Sequence, residues 1–185
     1  MTARKELAFP LAGLLADSAG ARRRFELRDI TIPLDDALVL AAPISADLEV
    51  ARTNRGLLVD GTLATVLAME CSRCLEPARV ELTVPISEEV LPSIDVATGQ
   101  ALDRTAEPDV ARLTEHHELD VEPLLRESIL LTAPIAPLCG PDCPGLCIEC
   151  GERLGDEHQA HDADDIDPRL AALRTFRVDG DAETG

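Results

Sequence analysis

Six cysteines in two separated groups set the strongest condition on how this chain can fold. Cys71 and Cys74 form the pair "CSRC". Cys139, Cys143, Cys147 and Cys150 crowd into "CGPDCPGLCIEC", with His158 and His161 just beyond in "HQAH". Two thiols separated by two residues can be turned onto one ion by a tight knuckle, and Zn²⁺ takes four such donors in a tetrahedron. The eight donors suffice for two closed sites. The first grouping to consider joins Cys71, Cys74, Cys139 and Cys143, and leaves Cys147, Cys150, His158 and His161 for the other. A competing grouping joins Cys71 and Cys74 to Cys147 and Cys150 as a zinc ribbon, with Cys139 and Cys143 in a looser site. Either arrangement makes the fold bring residues near 71 to residues some 65 positions later.

Other uses of the thiols fit less well. A redox Cys-x-x-Cys needs its first thiol at a helix N-terminus, whereas Pro77 and a two-residue alternation follow "CSRC". Inert core cysteines would not sit among the Gly and Pro residues of 139–151. Disulfides would require an oxidising compartment. The apolar run Leu7–Ala16 superficially resembles a signal segment, but Glu6, Pro10 and Asp17 interrupt or bound it, and the chain reads as cytoplasmic. No stretch is apolar for long enough to span a membrane. A catalytic zinc would need an open position and a nearby base, which the "EHHE" spacing does not supply. No Ser/His/Asp grouping is evident either, so the expectation is a structural, non-enzymatic zinc protein.

Alternation of period two organises the middle of the chain. Ile44, Ala46, Leu48 and Val50 alternate with polar residues as in a half-buried strand. "TNRG" turns the chain, residues 57–70 continue extended with Gly61 as a candidate bulge, and Val80, Leu82, Val84 and Ile86 mark a third strand. The pattern predicts an α+β fold: an antiparallel sheet, open or closed like a barrel, with packed helices and a zinc-tied C-terminal lobe. Residues 97–118 lose periodicity and read as a mobile acidic loop, with His116 and His117 at the surface. "LDVEPLLRESILLTAP" predicts a helix capped by Asp120, with Leu124, Leu125, Ile129 and Leu130 or Leu131 facing the sheet. "DIDPRLAALRTF" predicts a second, with Asp167 at the cap and Pro168 in the first turn. One domain is expected over 1–185: an N-terminal segment at 1–33, a sheet-and-helix core at 34–138, a metal lobe with the last helix at 139–176, and a disordered tail at 177–185.

Charge limits the partners. Asp and Glu number 35 against 17 Lys and Arg, for a net charge of −18, whereas broad phosphate contact relies on a basic face. Arg22, Arg23, Arg24 and Arg28 form the one local basic patch of the first third, read as a solvated face. A basic polypeptide partner suits the overall charge better.

Together, the "CxRCLxP" knuckle at Cys71–Pro77, the "LLTAPIAPLC" stretch at Leu130–Cys139, "CPGLCIECG" at Cys143–Gly151 and "DPRLAAL" at Asp167–Leu173 resemble the DUF177/YceD family of bacterial and plastid proteins. Members often carry a proline where Ile148 stands, an Asn-rich stretch where "ERLG" stands, and two cysteines where His158 and His161 fall. Histidine can replace cysteine on zinc, so the proposed site survives the departure. The resemblance implies a non-catalytic ribosome-biogenesis factor that supports accumulation of large-subunit ribosomal RNA. Its partner would be a basic ribosomal protein or a pre-large-subunit particle. A local ribosomal RNA contact through Arg22, Arg23 and Arg24, an RNA-processing activity and a thiol redox sensor are the alternatives.

Overall fold

The computed structural model describes residues 7–35, 38–103, 105, 107–155, 158 and 169–170. In chain order these form β1 (Ala8–Pro10), α1 (Ala12–Ala16), β2 (Arg22–Ile30), β3 (Val39–Arg52), β4 (Leu57–Glu70), β5 (Pro77–Leu91), β6 (Ala111–Arg112), β7 (Glu118–Asp120) and α2 (Glu122–Thr132). Strands β2 to β5 make an antiparallel meander, β6 lies parallel to β5 at its edge, and β1 pairs with β7 separately. The sheet does not close, which corrects the barrel-like alternative. Closure would need β2 to bond to the far edge, and the two residues of β6 cannot match the nine of β2.

One face of the meander carries the core. Ile44, Ala46, Leu48 and Val50 of β3 meet Val59, Leu63 and Leu67 of β4 and Leu82, Val84 and Ile86 of β5, all nearly inaccessible to solvent. Leu11, Leu14 and Leu15 in and before α1, with Leu124, Leu125 and Ile129 of α2, cover that face. The Leu7–Ala16 run is therefore core material. α2 forms where expected, but its cap position is Val121, not Asp120; the Asp120 carboxylate, one residue earlier, accepts the Glu122 N–H at 3.1 Å, and Pro123 occupies the first turn. Leu131, allowed as a core residue by the pattern, is instead 80% exposed. No described helix is long and apolar enough to cross a membrane.

Three local readings change. First, the arginine patch is most of strand β2. Phe25 and Leu27 turn toward the core, and Phe25 stacks on Phe9 with ring centroids 4.5 Å apart. Three apolar positions among six charged ones gave too weak an alternation to read. Second, Gly61 is no bulge: it pairs with Leu48 and Ile86 in unbroken stretches of register, and the irregularities of β3 against β4 fall between Leu40 and Ser45. A Cβ built on Gly61 would lie 2.2 Å from the Asp47 carbonyl oxygen and 2.8 Å from Leu48 Cδ2. Glycine is there because neighbouring backbone comes too close for a side chain. Third, residues 97–118 are partly structured. Ile94 bridges to Ala101, the Asp95 carboxylate accepts the Thr98 and Ala97 N–H groups, and β6 forms. Those bonds, from Thr98 first, hold the Asp95 carboxyl below its ordinary value. The second predicted helix lies almost wholly outside the described residues.

Gly61→Val should lower stability by about 3 kcal/mol or more, because the added atoms meet rigid backbone. Gly140→Ala, where a Cβ meets nothing within 4 Å, should stay within about 0.5 kcal/mol of the parent. Urea midpoints of the two variants test the contrast, and equal midpoints would contradict it.

Candidate metal centre

The turn from β4 to β5 is the first cysteine knuckle. The Cys71 carbonyl accepts the Leu75 N–H at 2.9 Å, and the Cys71 N–H donates to the Glu76 carbonyl at 2.9 Å. To make this turn Leu75 adopts a left-handed backbone with φ 61°, which is costly for a residue with a branched side chain. The segment Cys147–Glu152 repeats the same pattern: Gly151 N–H to the Cys147 carbonyl at 2.9 Å, and Cys147 N–H to the Glu152 carbonyl at 2.7 Å. There the left-handed position is Gly151, with φ 74°. The two knuckles share one backbone geometry. The likeness of "CSRCLE" and "CIECGE" was available in the sequence.

Cys71, Cys74, Cys139 and Cys143 bring their four sulfurs within 4.8 Å of one another. Cys71 Sγ is 3.7 Å from Cys143 Sγ, and Cys74 Sγ is 3.6 Å from Cys139 Sγ. Four sulfurs about 2.3 Å from a tetrahedral Zn²⁺ stand about 3.8 Å apart, while a disulfide would need about 2.05 Å. All six cysteines are free thiols. Cys71, Cys74 and Cys143 are buried and Cys139 is exposed. The chain after α2 is fastened to the knuckle by protein contacts as well. The Ser72 N–H and hydroxyl donate to the Pro137 carbonyl at 2.8 and 3.0 Å, and Arg73 Nη1 donates to the Cys143 carbonyl at 3.0 Å.

The four thiols do not ionise alike. Burial opposes ionisation of Cys71, but bonds from the backbone N–H groups of Arg73, Cys74 and Cys139 outweigh it and bring this thiol down to about 6. The sulfurs of Cys143 and Cys74, and then burial, push Cys139 up to about 12. One thiolate is well supported and the next is repelled. A divalent ion among them would let all four ionise together.

The second group is Cys147, Cys150 and His158, again within 4.8 Å, with Cys150 Sγ 3.3 Å from His158 Nε2. His161, expected as its fourth donor, lies outside the described residues. The chain divides into a unit Met1–Cys143, which holds the first group entire, and a unit Pro144–Gly185, which holds the second. Among the described residues Cys71 and Cys74 gather with Cys139 and Cys143, the first of the two groupings the sequence allows, and not as the zinc-ribbon set. His116 is exposed, and neither it nor His117 joins a donor cluster among the described residues. His117 departs from the surface expectation: it is half-buried, its φ is 57°, and its buried Nδ1 has no hydrogen-bond partner.

The arginine patch has geometry of its own. Arg22 and Arg24 donate to the two carboxylate oxygens of Glu49 at 2.5 and 2.9 Å, and Arg28 donates to Asp47 at 2.6 Å. The bonds from Arg24 and then Arg22 lower the Glu49 carboxyl from its ordinary value. Arg23 points to the other face, where a Cβ on Gly13 would lie 3.1 Å from its Nη2.

An open antiparallel meander whose central hairpin turn supplies half of a four-thiol cluster defines a class of small β proteins braced by cysteine knuckles. A family model described as "Large ribosomal RNA subunit accumulation protein YceD" matches residues 59–177, and the chain belongs to that family. Uncharacterized proteins of Mycobacterium tuberculosis and Mycobacterium bovis are each 35% identical over 182 residues, covering 93% of this chain and 84% of theirs. A maize protein named "Large ribosomal RNA subunit accumulation protein YCED homolog 1, chloroplastic" is 27% identical over 166 residues, covering 78% of this chain and 51% of its own. No solved structure matches the chain.

Replacing Leu75 by Gly should raise stability by about 0.5–1 kcal/mol, the relief of left-handed strain less the flexibility that glycine adds to the unfolded chain. Leu75→Ala, which keeps a Cβ, should give no such gain. Chemical denaturation of both distinguishes them, and a lower midpoint for the Gly variant would contradict the strain.

Proposed function

We propose that this chain is a non-catalytic factor of large-subunit ribosome assembly, braced by structural zinc, which works by binding a basic ribosomal protein in the cytoplasm. Membership of a family named for large ribosomal RNA subunit accumulation carries the ribosomal part of this reading. The maize relative's name supports it.

The site supports a structural metal. Cys71, Cys74, Cys139 and Cys143 would hold one zinc with every position filled by protein, and a closed four-thiolate set leaves no place for a reacting water. Cys147, Cys150 and His158 would hold a second, with His161 as the remaining donor. Bound zinc supplies cross-linking at these places, so its binding free energy becomes folding free energy for the segments it joins. The first set fastens the β4–β5 turn to the chain after α2. The Arg73 bond to the Cys143 carbonyl and the Ser72 bonds to Pro137 orient the two arms.

The partner follows from charge. RNA affinity requires cations free to replace counterions on phosphates. In this chain Arg22, Arg24 and Arg28 are already engaged by Glu49 and Asp47, on a molecule of net charge −18. A basic protein is attracted by the same field, with a strength that falls as salt rises.

Three measurements test the proposal. Elemental analysis of freshly reduced protein should find two zinc ions per chain, one of them lost in Cys71→Ser and the other in Cys147→Ser; absence of zinc from the parent would overturn the metal reading. Chelation should open residues 139–167 to proteolysis well before residues 44–90, whose strands share an apolar face, and equal cutting would contradict the division. In binding assays across a salt series, the chain should hold a basic large-subunit protein and hold purified ribosomal RNA only weakly. Tight RNA binding lost on changing Arg22, Arg23 and Arg24 to Ala, without affinity for ribosomal proteins, would make it a direct RNA-binding factor.

A further inference from the structure

Beside the four-thiol cluster the chain leaves a run of large apolar side chains in water. Leu75 is 57% exposed, Leu131 80%, Ile135 103% and Leu138 39%. Single exposed leucines are common and need no explanation. Two of them flank the cluster itself: Leu75 follows Cys74, Leu138 precedes Cys139, and the sulfurs of those cysteines are 3.6 Å apart. Leu131 and Ile135 lead into it from the end of α2.

The junction is held stiff. Pro134 and Pro137 fix their own φ and restrict Ala133 and Ala136 on either side of Ile135, and both Ser72 donors fix the Pro137 carbonyl. Side chains presented on a rigid support lose little freedom when a partner covers them, which favours their use as anchors. Leu75 adds an independent sign. Its left-handed backbone suits glycine, the matching position of the other knuckle is Gly151, and yet a leucine stands there with its side chain in solvent. Strain kept at an exposed apolar residue points to a use outside the folded chain.

The fringe of this ledge is acidic. Glu76, Glu127 and Asp142 are exposed, and their carboxylates make none of the ion pairs found among the described residues. The nearby Arg73 guanidinium donates to the Cys143 carbonyl and keeps its charge. Three carboxylates to one cation favour a basic partner over a phosphate backbone. We infer that the ledge formed by Leu75, Leu131, Ile135 and Leu138 is a docking surface for a basic amphipathic polypeptide segment, whose apolar side chains cover the ledge while its Lys or Arg residues meet Glu76, Glu127 and Asp142. This deepens the assembly-factor reading and rests on it for the partner's ribosomal origin.

The test uses the full zinc-loaded chain and two probes. The first is a synthetic peptide with Leu and Lys at helical amphipathic spacing, followed by fluorescence anisotropy. The parent should bind it, and Leu131→Ser/Ile135→Ser should bind at least tenfold more weakly with unchanged zinc content and unfolding midpoint. Leu75→Gly, which relaxes the backbone and so does not endanger folding, should weaken binding several-fold. Glu76→Gln/Glu127→Gln should lower affinity and flatten its salt dependence. Equal binding by the parent and both ledge variants, or none by the parent, overturns the docking surface. The second probe is the protein extract of salt-washed large ribosomal subunits. If the peptide binds as expected but the parent retains no ribosomal protein, the docking surface stands and the ribosomal reading fails. Sedimentation completes the set: a parent dimer that Leu131→Ser/Ile135→Ser dissociates would assign the ledge to a second copy and overturn the inference.

Discussion

The meeting of Cys71 and Cys74 with Cys139 and Cys143 is the constraint around which the rest is arranged. A meander with one apolar face needs cover, and α2 provides it through Leu124, Leu125 and Ile129. α2 stays in place only if the chain leaving it is also held. That chain is "APIAPLCG", too short of buried side chains to anchor itself: between residues 134 and 140 only Pro137 is buried. The Ser72 bonds to the Pro137 carbonyl and the Arg73 bond to the Cys143 carbonyl hold that segment against the knuckle, where the four sulfurs gather.

The charge pattern follows from the same economy of surface. With 35 acidic residues, the outward face of the sheet would repel itself. Strand β2 answers this by setting Arg22 and Arg24 against Glu49, and Arg28 against Asp47. Exposed pairs of this kind each add little to stability. Their larger effect is on recognition, because they offset most of the charge of the Arg22–Arg28 cluster.

Much of this was legible in the sequence, for identifiable reasons. The long strands β4 and β5 were legible because β5 alternates through Val80, Leu82, Val84 and Ile86 and β4 carries an extended apolar run between turn residues. α2 was legible from its apolar face and from Pro134 beyond its end, although its cap fell at Val121 and not at Asp120. Strand β2 was hidden, since an edge strand with one buried face needs few apolar residues and carries charge elsewhere. Gly61 was misjudged because a sequence shows that glycine is present and not which backbone approaches it. For the thiols, spacing singled out the donors and left the grouping open; choosing between groupings took the fold, which carries the β4–β5 turn to the end of α2. The left-handed Leu75 could be recognised only by setting one knuckle beside the other.

An open sheet also leaves β2 with a free row of backbone donors and acceptors, the kind of edge on which foreign strands add and fibres begin. Two features of β2 work against this. Its register against β3 shifts between Leu27 and Ile30, with Asp29 in a left-handed conformation at φ 56°, so the edge is bent and cannot template a long straight partner. Arg22, Arg24, Glu26 and Arg28 also line much of its length, and an incoming strand would have to strip water from each. The arginine-rich stretch is thus a guard against aggregation, and it lets the chain keep an unclosed sheet in a crowded cell.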